Sequence, residues 1–356
     1  MKALVIYKDG ITKVEEMEEP QVGPGHVKIK VAACGICGSD IPRVLNNKAH
    51  YYPIVLGHEF SGVVAETGDG VDNVKPGDHV AGVPLIPCGQ CEDCENGNYS
   101  LCKNYTFIGS RLQGAMSEYV VVPKQNVVKL NGNLDLQDAA LIEPLTVSLH
   151  ALKQNNHRPG KKVAVLGMGT IGCLTAQAVK HVGAENITAV VRNHNYDGLI
   201  YKMEMDSIVN TSEDSWMDTV KQITGNRGFD FVYETAGSVQ TMQQAFQIAS
   251  NKAHICFVGT PKKELTFTVQ QWEMMNRKEF YLTGSWMSYS APFPGTEWKD
   301  AVELLETGNV KIYPGIIHRK VRLVDAAAIF DDYKSGGTVP GRNVIVMENV
   351  NEFIIS

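Results

Sequence analysis

Residues 162–172, KVAVLGMGTIG, decide the fold of this chain. A strand-length apolar run leads into three glycines at the spacing G-x-G-x-x-G, and a helix-length stretch, TIGCLTAQAVKHVGA, overlaps and follows them. In a strand–turn–helix unit, Gly167 permits the tight turn, Gly169 lets a pyrophosphate approach the backbone, and Gly172 lets the helix pack closely on the strand. The pattern therefore predicts a dinucleotide site.

The helix after this turn begins at Thr170 and Ile171, where free N–H groups and the positive end of the helix dipole favour phosphates. Further along the chain, near-continuous apolar runs alternate with helix-length segments, as in ITAVV, FDFVYETAG, VQTMQQAFQIAS and HICFVGT. Apolar runs that alternate with helices indicate a parallel sheet covered on both faces. The sequence therefore predicts a doubly wound α/β domain of the Rossmann type over residues 148–285.

The residues before 148 follow a different pattern. HVKIKVAACG and FSGVVAETG alternate apolar and polar residues at the period of a strand. Turn signals such as VGPGH, ETGDG and KPGDHV lie close to these strands. Short strands separated by glycine and proline turns predict a small, distorted β-barrel.

Four cysteines in the loop at 88–102, PCGQCEDCENGNYSLC, have the spacing C-x₂-C-x₂-C-x₇-C. Four thiolates can close a tetrahedral shell around Zn²⁺, which leaves no open position for chemistry and indicates a structural metal. An iron–sulfur site is a competing interpretation, but the bacterial run ends in C-x₃-C-P, which this loop lacks. Disulfides are a third interpretation, disfavoured because the apolar run in MKALVIYKDG is too short for a secretion signal. The predicted ligands of the structural zinc are Cys88, Cys91, Cys94 and Cys102.

Composition narrows the class of protein. The chain has 356 residues, of which 44% are hydrophobic and 20% charged, enough for a large core divided between two domains. A formal net charge of −6 argues against nucleic acid and anionic membranes as partners, so an anionic substrate must meet a local cationic patch. No stretch approaches the length of a membrane span, and we expect a cytoplasmic protein. Three further cysteines are expected to be small buried hydrophobes: Cys34, Cys173 and Cys256.

A second set of metal-binding residue types is spread along the chain. Cys37 lies in CGICGSD, His58 and Glu59 lie in LGHEFSG, and Glu143 lies in LIEPLT. A thiolate, an imidazole and a carboxylate are the ligand types that leave a catalytic zinc one open position for water or substrate. The alternative interpretation of GHE is a buried turn with a hydrogen-bonded histidine.

GHEFSG, the four-cysteine loop and GMGTIG, in this order, resemble the zinc-containing medium-chain dehydrogenase/reductase superfamily. The resemblance covers essentially the whole chain, from MKALVIY to GRNVIVM. Within the superfamily the chain is similar to the polyol dehydrogenase branch. The segments that carry this similarity are GSDIPRVLNNKAHYYPIVLGHEFSG, CKNYTFIGSR, IEPLTVSLHA and GSWMSYSAPFPGTEW.

The resemblance implies an oxidoreductase that transfers a hydride between a nicotinamide cofactor and a substrate CH–OH group, while zinc polarises the hydroxyl. It implies a GroES-like catalytic domain formed by 1–147 and 286–356, with the Rossmann domain at 148–285 inserted between them. It also implies two zinc ions per chain and association into homodimers or homotetramers through the cofactor domains.

For the catalytic zinc, the resemblance implies the ligands Cys37, His58 and Glu143. Glu59 matches a residue at the edge of the metal site, and Ser39 matches the first member of a hydroxyl relay for the released proton. Asp40 is a candidate acceptor for the ring N–H of His58, which would fix the tautomer of that ring. The alternative role for Asp40 is a helix N-cap.

The choice of cofactor depends on the end of the second Rossmann strand. NAD-type members of the family have an acid there, which holds the ribose 2′-hydroxyl, whereas this chain has Val191 followed by Arg192. An acid would repel a 2′-phosphate, and an arginine can pair with one. The sequence therefore favours NADP over NAD. The alternative is that Arg192 is solvated and NAD binds through other contacts.

The resemblance implies that the substrate is a polyol phosphate of the galactitol 1-phosphate type, oxidised to a ketose phosphate. An unphosphorylated polyol (sorbitol or xylitol type) and a pentitol phosphate (arabitol phosphate) are the alternatives, followed by a non-catalytic zinc- and nucleotide-binding protein. Candidate substrate contacts on one wall are Arg43, Lys48, His50, Tyr51 and Arg111. On the other wall they are Ser285, Met287 and Tyr289.

Overall fold

The structure is a computed structural model that describes residues 1–132, 134–334 and 339–348. The strands are β1 (Lys2–Ile6), β2 (Thr12–Glu16), β3 (His26–Gly35), β4 (Ile54–Val55), β5 (Glu59–Thr67), β6 (His79–Gly82), β7 (Leu85–Ile86), β8 (Thr106–Phe107), β9 (Tyr119–Pro123), β10 (Val127–Lys129), β11 (Lys162–Leu166), β12 (Asn186–Val191), β13 (Ser207–Asn210), β14 (Phe229–Glu234), β15 (Ala249–Phe257), β16 (Tyr281–Gly284), β17 (Ile317–Arg322) and β18 (Arg342–Val346). The α-helices are α1 (Asp40–Leu45), α2 (Glu92–Glu95), α3 (Leu136–Ala139), α4 (Ile142–Gln154), α5 (Thr170–His181), α6 (Asp197–Lys202), α7 (Trp216–Thr224), α8 (Val239–Ile248), α9 (Val269–Lys278), α10 (Thr296–Glu306) and α11 (Ile329–Lys334). Short 3₁₀ turns lie at Lys8–Gly10, Tyr99–Leu101, Lys124–Asn126, His194–Tyr196 and Leu323–Ala328.

Two compact units divide the chain. The first consists of the described residues of Met1–Glu143, Tyr289–Gly308 and Ile317–Ser356, and the second consists of Pro144–Ser288 and Asn309–Ile316. The domain boundaries predicted from the sequence stay predictions.

The first unit is built around the long strand β3. It pairs in antiparallel fashion with β5, β9 and β18, and the main sheet has the order β10-β6-β5-β3-β18-β17. Alternating apolar side chains along these strands point into one core, as the period of two requires. Fully buried members of this core include Leu4, Ile6, Ile29, Phe60, Phe330 and Ile345. The β-rich architecture predicted for the first part of the chain is confirmed.

The second unit contains a sheet of order β13-β12-β11-β14-β15-β16, in which every pairing is parallel. The chain runs outward from β11 to β13, crosses back to β14 and then runs outward to β16, so the strand order reverses between β11 and β14. Leu166 and Glu234 are register partners at the carboxyl ends of these two strands. A ligand of a doubly wound sheet binds outside the carboxyl ends at this reversal. The predicted parallel sheet is confirmed.

The short segment Asn309–Ile316 belongs to the second unit, although the sequence did not indicate this. Gln177 on α5 holds it through paired hydrogen bonds: the backbone N–H of Lys311 donates to Oε1 of Gln177 (2.9 Å), and Nε2 of Gln177 donates to the carbonyl of Lys311 (3.1 Å). Within the described residues, the helices are all too short or too polar to cross a membrane.

Candidate functional site

The four cysteines of the loop at 88–102 come together in the first unit. Cys91 precedes α2, Cys94 lies on α2, and Cys102 follows a 3₁₀ turn. Sγ of Cys88 lies 4.0 Å from Sγ of Cys94, and Sγ of Cys91 lies 3.9 Å from Sγ of Cys102. With Zn–S bonds of about 2.3 Å, the edge of a tetrahedron is roughly 3.8 Å, so the sulfur spacing fits a zinc ion. All eight cysteines lie in the described part of the chain, and each is a free thiol.

The electrostatics of this loop also suit a cation. The backbone N–H of Cys94 stabilises the thiolate of Cys91 and lowers its pKa to about 6. Burial raises the pKa of Cys94 to about 12 and also raises that of Cys102. A divalent cation favours the thiolate form of its ligands and so compensates for their burial.

A second cluster contains Cys37, His58 and Glu59, whose ligand atoms lie within 4.8 Å of one another. The pairing of β3 with β5 explains this proximity, because Gly35 and Glu59 are register partners and Cys37 and His58 flank them in sequence. A Cβ at Gly35 would lie 2.4 Å from Oε2 of Glu59, so only glycine leaves room for this carboxylate. The donor set of a thiol, an imidazole and a carboxylate fits a zinc ion with an open position.

Asp40 connects two members of this cluster. Its Oδ2 accepts the backbone N–H of Cys37 at 3.0 Å, and its Oδ1 lies 3.6 Å from Nδ1 of His58. Nδ1 of His58 is buried and has no hydrogen-bond partner among the described residues, so Asp40 is the carboxylate that faces it. The N-cap of α1 is Ser39, and Asp40 is the first residue of the helix. The position of Asp40 therefore suits the orienting role better than the N-cap role.

The sequence did not single out Arg342, on β18, as a site residue. Its Nε lies 3.0 Å from Oε2 of Glu59, and its Nη1 donates to the carbonyl of Ile36 at 3.0 Å. Burial raises the pKa of Glu59 to about 8, and the charge of Arg342 opposes that rise. In the sequence, Arg342 is a single cation at the start of the apolar run RNVIV. Nothing in the sequence connects this position to the distant GHE motif.

Glu143 lies on the first turn of α4 and is not among the ligand atoms grouped within 4.8 Å. Its pKa is raised to about 7, chiefly by burial and also by the charge of Glu59, while the imidazole of His58 opposes the rise. These electrostatic effects place Glu143 near the cluster. The site therefore offers two carboxylates beside one thiol and one imidazole.

Three predicted substrate contacts lie near one another in the first unit. Partial burial lowers the pKa of His50, and the positive charges of Arg111 and Arg43 act in the same direction, so the imidazole is held in its neutral form. Nη1 of Arg43 donates to the carbonyl oxygen and to Oγ of Ser39, at 2.8 and 2.9 Å. We call Arg43, His50 and Arg111 the cationic cluster.

A chain of aromatic contacts joins the cationic cluster to the metal-ligand cluster. The rings of His58 and Phe107 meet edge to face with centroids 5.5 Å apart, and Phe107 meets Tyr105 in the same way at 6.3 Å. The guanidinium of Arg111 lies over the ring of Tyr105 at 4.2 Å, and Nη1 donates to the carbonyl of Tyr105 at 3.2 Å. Tyr51 is exposed by 39%, and Lys48 is also exposed. The cationic cluster is therefore adjacent to the candidate metal site.

The residues predicted for the other wall do not lie together in one unit. Ser285 and Met287 belong to the second unit, and Tyr289 belongs to the first. Tyr289 is 2% exposed, and its ring stacks on those of Phe293 and Trp298. Its environment is that of a core side chain, so its predicted contact with substrate stays a prediction.

The glycine turn after β11 has the shape that the sequence predicts. Gly167 has φ of 91°, and a Cβ on it would lie 2.8 Å from Cβ of Ala236. A Cβ on Gly172 would lie 1.9 Å from the carbonyl oxygen of Gly167. Gly169, which precedes α5, has open space where its Cβ would be. This cradle at a helix N-terminus fits a pyrophosphate.

The end of β12 carries the residues that predict the cofactor. Val191 is the last residue of the strand and is buried, and Arg192 follows it and is exposed. The position that holds a ribose in NAD-type sites therefore carries no acid, and an exposed cationic side chain is beside it.

Comparisons with known proteins give the family of this chain. Residues 23–132 match the alcohol dehydrogenase GroES-like domain, and residues 170–307 match the zinc-binding dehydrogenase family. Galactitol 1-phosphate 5-dehydrogenase of Escherichia coli (strain K12) is 40% identical over 347 residues, which cover 97% of this chain and 100% of that protein.

Two crystal structures extend the comparison. Galactitol-1-phosphate dehydrogenase from Escherichia coli matches with a TM-score of 0.91 and 39% identity, over 97% of this chain and 100% of that one. A putative zinc-binding dehydrogenase from Sinorhizobium meliloti 1021 bound to NADP matches with a TM-score of 0.87 and 28% identity, over 97% and 98%. This chain therefore belongs to the zinc-containing medium-chain dehydrogenase/reductase superfamily, the oxidoreductases that combine a GroES-like domain with a Rossmann domain and act on a CH–OH group.

Proposed function

We propose that this oxidoreductase converts a polyol phosphate of the galactitol 1-phosphate type into a ketose phosphate with NADP. The observation that carries the proposal is the cationic cluster, whose positive charge comes from the guanidinium groups of Arg43 and Arg111, beside the Cys37–His58–Glu59 cluster. The chain as a whole has a net charge of −6, so a phosphate needs such a local concentration of positive charge. The similarity to galactitol 1-phosphate 5-dehydrogenase supports the same substrate class.

Cys37 and His58 would hold the catalytic zinc, with Glu143, as predicted, or Glu59 as the carboxylate ligand. When bound, zinc supplies a Lewis acid that lowers the pKa of a substrate hydroxyl. Asp40 faces Nδ1 of His58 and so directs Nε2 of the ring toward the metal position. Arg342 neutralises Glu59 at the edge of the cluster.

Ser39 suits the role of first proton acceptor in the relay. Its Oγ already accepts an N–H from Arg43, so its own hydroxyl proton stays available to be passed on. Arg43 thus connects the relay residue to the cationic cluster. We infer that Arg43 positions Ser39, whereas Arg111, fixed on Tyr105, contributes charge for the phosphate.

We infer a second, structural zinc in the loop at 88–102. The spacing of the sulfur atoms supports it. Burial raises the pKa values of Cys94 and Cys102, and a bound cation would offset this effect by stabilising their thiolates. The preference for NADP rests on Val191 and Arg192, and the NADP-bound relative supports it.

We infer that a second copy of this chain pairs with the edge strand β16. An edge strand leaves backbone N–H and C=O groups open to another strand. Large apolar side chains are exposed on β16 and on α9, which precedes it in the chain: Tyr281, Leu282, Val269 and Trp272. Pairing of two such edges would build a homodimer, and further association would build a homotetramer. Light scattering at micromolar concentration tests this, and a monomer would contradict it.

A substrate panel tests the proposed activity. Galactitol 1-phosphate, galactitol, sorbitol, xylitol and arabitol phosphate are offered with NAD and with NADP, and reduced cofactor is followed by absorbance. The proposal predicts the highest kcat/KM for the hexitol phosphate with NADP. Higher efficiency with unphosphorylated polyols or with the pentitol phosphate would establish those alternatives, and no turnover with any of the five would contradict the proposed substrate class.

A further inference from the structure

The buried carboxylate of Glu234 has no role in the chemistry described above. Glu234 is the last residue of β14 and is fully buried, opposite Leu166 at the point where the strand order reverses. It therefore lies where the loops after β11, β14 and β15 begin, and the backbone N–H of Gly259, in the loop after β15, donates to its carbonyl at 2.9 Å.

One oxygen of this carboxylate organises the loop after β14. Oε1 accepts the backbone N–H groups of Ala236 and Gly237 at 3.0 and 2.9 Å, and the hydroxyl of Thr241 at 2.7 Å. The other oxygen, Oε2, is buried and has no hydrogen-bond partner among the residues that the structure describes. These three hydrogen bonds offset the cost of burying the carboxylate. They also fix the path of the chain from 235 to 238.

The segment 235–238 in turn holds the glycine turn. The hydroxyl of Thr235 donates to the carbonyl oxygens of Leu166 and Gly167 at 3.0 and 2.9 Å, and its backbone N–H donates to Leu166 at 3.0 Å. Ala236 packs so closely against Gly167 that a Cβ there would lie 2.8 Å from it. Hydrogen bonds and packing therefore connect Glu234 to the turn that receives the pyrophosphate.

We propose that Glu234 is a positioning residue for the dinucleotide. Its carboxylate fixes the segment 235–238, and this segment sets the conformation of the glycine turn at Gly167. The inference rests on the dinucleotide binding of the proposed function and assigns a task to a side chain that does not touch the pyrophosphate itself.

Three variants test the proposal. Glu234→Ala removes the acceptor, and Glu234→Gln keeps an oxygen that can accept the same three donors. Asp230→Ala is the matched control, because Asp230 lies at the amino end of the same strand and accepts the backbone N–H of Lys162 at 3.1 Å, at the end of β11 remote from the glycine turn. The measurements are the Kd for NADPH by fluorescence titration, KM for each substrate, kcat and Tm.

We expect Glu234→Ala to raise the Kd and KM for NADP(H) about tenfold or more. Its kcat at saturating cofactor and its KM for the polyol should change less than about threefold. Glu234→Gln should bind NADPH within about threefold of the wild type, because the hydrogen-bond acceptor is retained. Asp230→Ala should lower Tm, because the backbone N–H of Lys162 loses its acceptor, without changing the Kd.

Two results with the Glu234 variants would overturn the inference. If Glu234→Ala loses stability but binds NADPH like the wild type, the side chain is only structural. If Glu234→Gln binds as weakly as Glu234→Ala, the negative charge matters and the geometry does not. Should Glu234→Ala fail to fold, Thr235→Val and Thr235→Ser are compared instead, because the first removes the hydroxyl that holds the glycine turn and the second keeps it. Equal affinity of these two variants for NADPH would contradict the proposal. A wild-type protein that binds neither NADPH nor NADH would overturn the proposed function, which is a distinct result.

Discussion

Gly35 and Glu59 face each other across β3 and β5, and the carboxylate of Glu59 fills the space that a side chain on Gly35 would need. The register of this one strand pair therefore sets the position of three polar groups: Cys37, His58 and Glu59. Arg342 enters from the other side of β3, on β18, and gives Glu59 its counter-ion. The candidate metal site is thus a product of sheet pairing, and changes in its residues should affect chemistry more than folding.

Replacement of Cys37 by Ser tests the catalytic zinc. We expect the activity to fall more than roughly 100-fold, because residues behind the ligands alone change metal affinity about 10- to 100-fold. Metal analysis should give one zinc per chain in place of two, with Tm nearly unchanged. Two zinc ions in the variant would contradict the assignment of Cys37 as a ligand.

The loop at 88–102 should contribute stability. Cys102→Ser removes a predicted ligand of the proposed structural zinc, and the binding energy of such an ion is folding energy, so we expect Tm to fall by roughly 10 °C. Cys256→Ser is the control, because Cys256 is buried outside both clusters. A similar loss of Tm in the two variants, with zinc content unchanged in both, would exclude a zinc at this loop.

Arg111 should distinguish phosphorylated from unphosphorylated substrates. Loss of a charge-assisted hydrogen bond corresponds to about 1.5–3 kcal/mol, so Arg111→Gln should lower kcat/KM for a polyol phosphate about 10- to 100-fold. The value for the unphosphorylated polyol should stay within about threefold of the wild type. Arg111→Lys keeps the charge and should lose less. Equal losses of kcat/KM for both substrates would show that Arg111 does not bind the phosphate.

The preference for NADP should depend on Val191 and Arg192. Wild-type enzyme should use NADP more efficiently than NAD by about ten- to hundredfold, and Val191→Asp should reverse the order by repelling the 2′-phosphate. Arg192→Gln should weaken the use of NADP and leave NAD unaffected. If the wild type turns over NAD more efficiently, Arg192 points into solvent and the cofactor prediction is wrong.

His157 should make the stability of the second unit depend on pH. Burial lowers its pKa from 6.5 to about 4, so the unfolded chain binds the proton more tightly than the folded chain. The contribution of neutral His157 is therefore present above pH 6.5 and is lost as the pH falls toward 4. At pH 5.5 the loss is about 1 kcal/mol. His157→Gln should show a smaller fall in Tm between pH 7.5 and 5.5, and an unchanged fall would contradict this prediction.

Residue type and local pattern were sufficient to predict the family, the β-rich first unit, the parallel sheet of the second unit and the grouping of the four cysteines of the loop at 88–102. The strands of the second unit are buried on both faces, so their apolar runs stand out in the sequence, and the glycine turn requires glycine at fixed positions. Cys37, His58 and the four cysteines were found because their spacing and chemistry are uncommon outside metal sites.

Other features depend on contacts between distant parts of the chain. Arg342 meets Glu59 only because β18 pairs with β3, and Glu234 matters only because its loop contacts the glycine turn. Neither pairing leaves a local signal, since one arginine or glutamate at a strand end is common. Tyr289 stays a prediction: its sequence context suggested a wall of the substrate pocket, and in the structure its buried ring stacks on those of Phe293 and Trp298.

The position of β18 late in the chain has a consequence for biosynthesis. A ribosome completes the four-cysteine loop after residue 102, long before it releases Arg342. During the interval, β3 has β5 and β9 available but not β18, and Glu59 has no counter-ion from Arg342. Zinc loading in the living cell should therefore occur in two stages, with the structural ion acquired by the nascent chain and the catalytic site completed only near the end of translation.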